Sequence, residues 1–192
     1  DGAAVFLDFG LSFDARGHFF AEFLTPRAST GLVDLLVLDM LPPLRGIYRS
    51  DYELPERDHW EVVRRRSPAY REDVRVDAVL LSHAHVDHCG WLGFLDPGIP
   101  VACSLESAVI AKAMQDTALA NFEQEVVYVT PRERVDGLLR ASDYRKVPYR
   151  QRPFLLLDRA GAPASLAEFW QQAGTTRALE ARLPAPCGGR VA

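Results

Sequence analysis

Short apolar runs separated by amphipathic stretches organise this chain. Ala3-Ala4-Val5-Phe6-Leu7 predicts a core strand that ends at Asp8-Phe9, with Gly10 releasing the chain into a turn. Phe19, Phe20, Phe23 and Leu24 fit one helical face, and Leu32, Leu35, Leu36 and Met40 another that is closed by Pro42-Pro43. Asp58 is placed to cap a short helix holding Trp60, Val62 and Val63. Val76 to Leu81 reads as a buried strand, Gly90 to Leu95 as a short apolar helix, and Ile99 to Cys103 as the next, parallel strand after the Asp96-Pro97-Gly98 turn. Ser104 then caps a helix with Leu105, Ala108, Val109 and Ala113 on its inner stripe. Glu125 to Thr130 predicts a strand halted by Pro131, and Phe154 to Leu157 an apolar strand ending in Asp158. Ser165-Leu166-Ala167-Glu168 has the form of a capping box, opening a helix through Leu166, Phe169, Trp170 and Ala173 that Gly174 ends.

This strand, loop, helix, strand, helix progression demands a sheet covered by helices, an α/β arrangement. Asp8 and His83 are 75 positions apart, too far for a structureless connection, so residues 10–76 are expected to form a helical insertion packed near the mouth of the site. No linker or repeat divides the 192 residues, which read as one domain. The chain enters a strand almost at once and stops in a turn, so it is expected to be an N-terminal piece of a longer protein.

The densest chemistry lies where the strand Asp77–Leu81 ends, in Ser82-His83-Ala84-His85-Val86-Asp87-His88. Three of the five histidines and one carboxylate fall within six residues. Imidazole nitrogen and carboxylate oxygen are the donors that hold zinc at about 2.0–2.2 Å. Leaving a strand, His83 and His85 can point to one side, while Asp87 and His88, just past a turn, can aim at a neighbouring position. That suits two metal ions sharing one loop. His18 and His59 stand alone and read as packing or surface histidines.

His83-x-His85-x-Asp87-His88 after a hydrophobic strand resembles the signature of the metallo-β-lactamase superfamily of metal-dependent hydrolases. The resemblance implies an αββα sandwich with the metals at the edge between its sheets, here an incomplete N-terminal half. It implies that His83 and His85 hold one divalent ion and that Asp87 and His88 hold a second, zinc or alternatively manganese. It also places Asp8 beneath the metal loop, accepting hydrogen bonds that orient the ligands, with Ser82 beside it. The family completes its centre with a further His, a bridging Asp and a last His, and no histidine follows His88. Asp158 is not assigned the bridging role, because no third histidine precedes it. The 192 residues alone are therefore expected to bind metal weakly, to be inactive, and to expose apolar surface.

Composition narrows the picture. The net charge of −4 gives no whole-chain attraction to nucleic acid or anionic membrane. Three cysteines without C-x-x-C spacing argue against a disulfide framework and for a reducing, cytoplasmic setting. Cys89, although next to His88, reads as a small buried thiol. No run of eighteen or more apolar residues occurs, so no membrane span is expected. Two stretches are basic. Arg57, Arg64, Arg65, Arg66, Arg71 and Arg75 have acidic neighbours and read as a solvated face. Arg132, Arg134, Arg140, Arg145, Lys146, Arg150 and Arg152, interleaved with Tyr128, Tyr144 and Tyr149, could hold backbone phosphate while bases stack.

The segment from Asp77 to Ser107 is most similar to the ribonuclease J-like branch of the superfamily. This implies a phosphodiesterase acting on RNA or single-stranded nucleic acid, with water activated between two metals and Asp87 serving both as ligand and as the catalytic residue that orients it. Two alternatives stand beside it: a small-molecule hydrolase of the same fold acting on a thioester, lactone or lactam, and a non-catalytic, degenerate member.

Overall fold

A computed structural model of the chain describes residues 2–20, 24–54, 56, 58–118, 124–143, 145–158, 163–173, 177–178 and 185–186. In chain order its elements are β1 (Val5–Leu7), α1 (Phe13–Phe19), α2 (Val33–Val37), α3 (His59–Arg66), β2 (Ala78–Leu80), α4 (Val86–Cys89), β3 (Val101–Cys103), α5 (Leu105–Thr117), β4 (Tyr128–Val129), β5 (Arg132–Val135), β6 (Leu138–Ala141), β7 (Arg150–Gln151), β8 (Phe154–Leu156), α6 (Ala167–Gln171), β9 (Gln172–Ala173), β10 (Arg177–Ala178) and β11 (Ala185–Pro186). Five strands form a parallel sheet in the order β1-β2-β3-β8-β11, and β4-β7, β5-β6 and β9-β10 make two-stranded antiparallel ladders. Among the described residues no helix is long and apolar enough to cross a membrane.

Register decides which side chains of the sheet are buried. Val5 pairs with Ala78, Phe6 with Val79 and Leu7 with Leu80, while Val79 pairs with Val101, and Val101 with Phe154. Paired residues share a face, so Val79, Val101 and Phe154 all point into the core, where none is more than 3% exposed. The opposite face is apolar but open at its edge: Val5 is 45% exposed, Leu7 77% and Leu80 37%. The first strand is therefore not the core strand its composition predicts. Among the described residues it pairs only with β2, and an edge strand with one open face leaves every second side chain in solvent.

The long connection between β1 and β2 is helical in part and packs into the same core. Leu32, Leu35, Leu36, Ile47, Tyr52, Leu54, Trp60 and Val63 join one apolar cluster with Val79, Leu81, Phe94 and Leu95. Its first helix differs from the expected one. It spans Phe13–Phe19 because the Ser12 hydroxyl accepts the Ala15 N–H and starts it early. Phe20 caps its end, Leu24 is exposed, and Phe23 lies outside the described residues.

Other boundaries also shift. The helix expected over Gly90–Leu95 is displaced toward the N-terminus: α4 already spans Val86–Cys89, followed by a single 3-10 turn at Leu92–Phe94. Ser104 does cap α5, accepting the Ser107 N–H at 3.1 Å. The inner stripe of α5 is Leu105, Ala108, Ala111 and Lys112, with Val109 and Ala113 only half-buried. The strand expected over Glu125–Thr130 shortens to Tyr128–Val129. Gln115 takes over part of its pairing, accepting the Val127 N–H at 2.8 Å and donating to Tyr128 O at 2.6 Å. α6 starts only at Ala167, after a 3-10 turn at Ala164–Leu166, and yields to β9 at Gln172. The side chain of Ser165 and residue Gly174 lie outside the described residues.

Two arginines are buried inside this frame, each 1% exposed. Arg49 reaches Asp51 at 2.8 Å, Glu125 at 2.7 Å and Thr130 O at 2.7 Å. Among the described residues Arg152 meets no carboxylate within bonding distance and spends its donors on the backbone carbonyls of Leu92, Leu95, Asp96, Ile99 and Val126, at 2.8 to 3.2 Å. It fastens the turn after α4 to the loop ahead of β4.

Candidate metal centre

In a parallel sheet the carboxyl ends of the strands open onto a crevice where loops can present polar groups. Here the chain leaves β1 at Asp8 and β2 at Ser82, and the two ends are joined directly. Asp8 adopts a left-handed backbone, φ +61°, a conformation Asp tolerates better than most residues because its short side chain can bond locally. Its Oδ1 accepts the Ser82 N–H at 2.7 Å, and its Oδ2 accepts the Ser82 hydroxyl at 2.8 Å. Nδ1 of His88 lies 2.8 Å from the same Oδ2. Burial opposes the charge on Asp8, but the hydrogen bonds from His88 and Ser82 outweigh it and hold the carboxyl below its ordinary value.

The loop itself turns from extended to helical within three residues. His85 is still extended, φ −74° and ψ 152°, and its carbonyl accepts the N–H groups of His88 and Cys89 at 2.9 Å, which opens α4. Asp87 and His88 thus ride on a helical turn, while His83 and His85 project from the extended segment before it. Residues 9–11 run beneath α4 and brace it: Phe9 N–H bonds His88 O at 2.9 Å, and Leu11 N–H bonds Val86 O at 3.1 Å. Gly10 sits at the closest approach, where a Cβ would lie 1.8 Å from the Asp87 carbonyl oxygen. The glycine is needed for this contact and not only for a turn.

The four side chains converge. Ring centroids of His83 and His85 are 4.6 Å apart, and those of His83 and His88 3.9 Å. His83 Nε2 faces His85 Nδ1 at 3.1 Å, and Asp87 Oδ2 faces His88 Nε2 at 3.5 Å. Two donors each about 2.0–2.1 Å from one tetrahedral zinc lie about 3.3 Å apart. Each pair therefore has the spacing of two corners of a metal site. Among the described residues no group of three or more His, Cys, Asp or Glu side chains is arranged to hold an ion.

Neighbouring candidates fall away on geometry. Burial holds the Cys89 thiol up at about 11, assisted by the charges of Asp87 and Asp8, and the Cys103 thiol up at about 12. Both are free and protonated at neutral pH, and Cys89 Sγ lies 3.5 Å from Ala84 O. His18 packs edge-on against Phe19, and His59 is buried against Trp60. Asp158 accepts the Leu105 N–H at 3.2 Å, at the start of α5.

The basic stretch at 132–152 divides into structural and exposed cations. Arg152 is buried, Arg132 pairs with Glu125, Arg134 pairs with Glu56, and Tyr128 is buried against Tyr149. Arg140, Arg145, Lys146 and Arg150 are exposed, and Tyr144 lies outside the described residues. In the other basic run Arg64 and Arg65 pair with Glu61, as a solvated face does, and Arg57 lies outside the described residues.

A model of the metallo-beta-lactamase superfamily matches residues 55–165, more than half of the chain and all of the histidine loop. No curated protein and no solved structure matches it. With the parallel sheet, its covering helices and this match together, the chain belongs to the metallo-beta-lactamase superfamily.

Proposed function

We propose that His83 with His85, and Asp87 with His88, hold two divalent cations, zinc or manganese, in a hydrolase that attacks a phosphodiester of single-stranded RNA. The observation that carries the cation reading is the pair of facing donors, His83 Nε2 to His85 Nδ1 at 3.1 Å and Asp87 Oδ2 to His88 Nε2 at 3.5 Å. Bound there, such ions supply Lewis acidity that lowers the pKa of water and stabilises charge on the substrate oxygens. The chain's own part is orientation and proton handling. Asp8 fixes the His88 ring through Nδ1, and Asp87, 43% exposed, keeps Oδ1 available to orient the attacking water. Membership of a superfamily made up mostly of metal-dependent hydrolases supports the reaction class. The RNA substrate rests on the similarity of Asp77–Ser107 to the ribonuclease J-like branch, with Arg140, Lys146 and Arg150 as exposed cations for backbone phosphate. The test is chelator-sensitive degradation of single-stranded RNA by the intact protein, with His85→Ala abolishing it. Cleavage that survives chelation, or an unchanged rate in His85→Ala, overturns the cation assignment. Turnover of a thioester, lactone or lactam without salt-sensitive oligonucleotide binding assigns the small-molecule alternative.

A further inference from the structure

We propose that Ser82 is a positioning residue that sets the tautomer of His83 and ties the two donor pairs into one unit, an inference that rests on the cation reading above. The argument is a count of hydrogens. The Ser82 hydroxyl has one proton to donate, and an ionised carboxylate can only accept. With Asp8 Oδ2 at 2.8 Å, that proton goes to Asp8, and Ser82 Oγ is left as an acceptor. Two imidazole nitrogens face it, His83 Nδ1 at 3.0 Å and His88 Nδ1 at 3.3 Å. His88 Nδ1 lies closer to Asp8 Oδ2, at 2.8 Å, so its N–H belongs to the carboxylate. Ser82 Oγ therefore takes the N–H of His83 Nδ1.

Both rings then carry hydrogen on Nδ1 and a lone pair on Nε2. Those Nε2 atoms are the ones that face His85 Nδ1 and Asp87 Oδ2. In the other tautomer His83 would aim an N–H at the place where a cation must sit. One hydroxyl thus links a ring of the first pair, directly, to the carboxylate that holds a ring of the second. The backbone N–H of Ser82 keeps its own bond to Asp8 Oδ1 at 2.7 Å without any help from the side chain. Ser82→Ala therefore removes the relay and leaves the loop anchored.

The experiment uses the intact protein, stripped of metal, and two readouts. Long-range nitrogen–proton NMR of the histidine rings at neutral pH or slightly above reports tautomers. The wild type is expected to show Nδ1–H at both His83 and His88. Ser82→Ala should move His83 to Nε2–H while His88 stays, and Ser82→Thr, which keeps a hydroxyl, should preserve the wild-type pattern. Zinc affinity, read by competition with a chromophoric chelator, should fall about 10- to 100-fold in Ser82→Ala, the range for loss of a ligand-orienting hydrogen bond, and return to within a few-fold in Ser82→Thr. If Ser82→Ala fails to fold, Ser82→Val, which lacks both a hydroxyl and any metal-binding atom and is isosteric with the Ser82→Thr control, is read the same way. His83 unchanged as Nδ1–H in Ser82→Ala overturns the proposal, as does equal zinc affinity across the three proteins. A His83 tautomer that follows Ser82 in a chain that binds no zinc upholds the positioning role and overturns the cation reading alone.

Discussion

Arg152 and the histidine loop are both dense polar sites, and they differ in how their groups are satisfied. Around Arg152 five carbonyl oxygens meet one guanidinium that is 1% exposed, with every donor used. Burial, with a smaller push from Arg49, pulls its pKa down to about 9 against the favourable charge of Asp96. Such a network has nothing left to offer a ligand and acts only to hold backbone in place. At His83–His88 the inner nitrogens are engaged by Ser82 and Asp8, while the outer atoms face one another across short gaps at the protein surface. There the inner bonds hold the loop in place and the outer atoms stay near solvent.

The contrast breaks most visibly at Arg152. Arg152→Met should strip donors from five buried carbonyls and cost about 3–5 kcal/mol, the scale of removing one side of a buried charged network. Urea denaturation measures this, and the folded fraction should keep the wild-type zinc affinity. His88→Ala should do the reverse. Zinc affinity should fall by roughly 100-fold or more, beyond the range seen when only a supporting group is lost, while the urea midpoint of the metal-free chain barely moves.

Asp8→Asn sharpens the boundary between the two kinds of site. Asn also tolerates the left-handed backbone at this position, so the change removes charge without adding strain. Zinc affinity should drop about 10- to 100-fold in a competition titration. The same variant tests a linkage. Because the folded-state pKa of Asp8 is depressed, its contribution to stability is present above the unfolded value near 3.8 and is lost as pH falls through the lower folded value. Wild type should therefore lose more stability than Asp8→Asn between about pH 4 and more acidic conditions, as read by thermal unfolding across that window. At the bottom of the scale, Arg64→Ala breaks an exposed pair with Glu61 and should leave both melting temperature and zinc affinity unchanged.

How much of this was legible in sequence follows from how local each feature is. The convergence of His83, His85, Asp87 and His88 could be read because they fall within six residues and their order encodes which side of a strand end or helical turn they occupy. Ser104 could be read as a cap because a helix N-terminus is satisfied within three residues. Arg152 looked like one more cation in a basic stretch, since its partners lie 26 to 60 positions away and are backbone atoms with no residue signature. Exposed apolar surface was expected but not its place: that Val5 and Leu7 carry part of it was hidden, because an apolar strand reads the same at the edge of a sheet as at its centre.

The sequence by itself determined that three imidazoles and a carboxylate crowd one strand end, and that strands and helices alternate around them. Only the tertiary structure decided that Asp8, 74 positions before Ser82, closes onto the histidine loop, that Gly10 must be bare where it passes Asp87, and that Ser82 Oγ comes within 3.0 Å of the His83 ring and 3.3 Å of the His88 ring. Side-chain chemistry is a property of each residue, whereas which neighbour each side chain meets around Asp8 and Ser82 depends on distances that only packing of β1 against β2 sets.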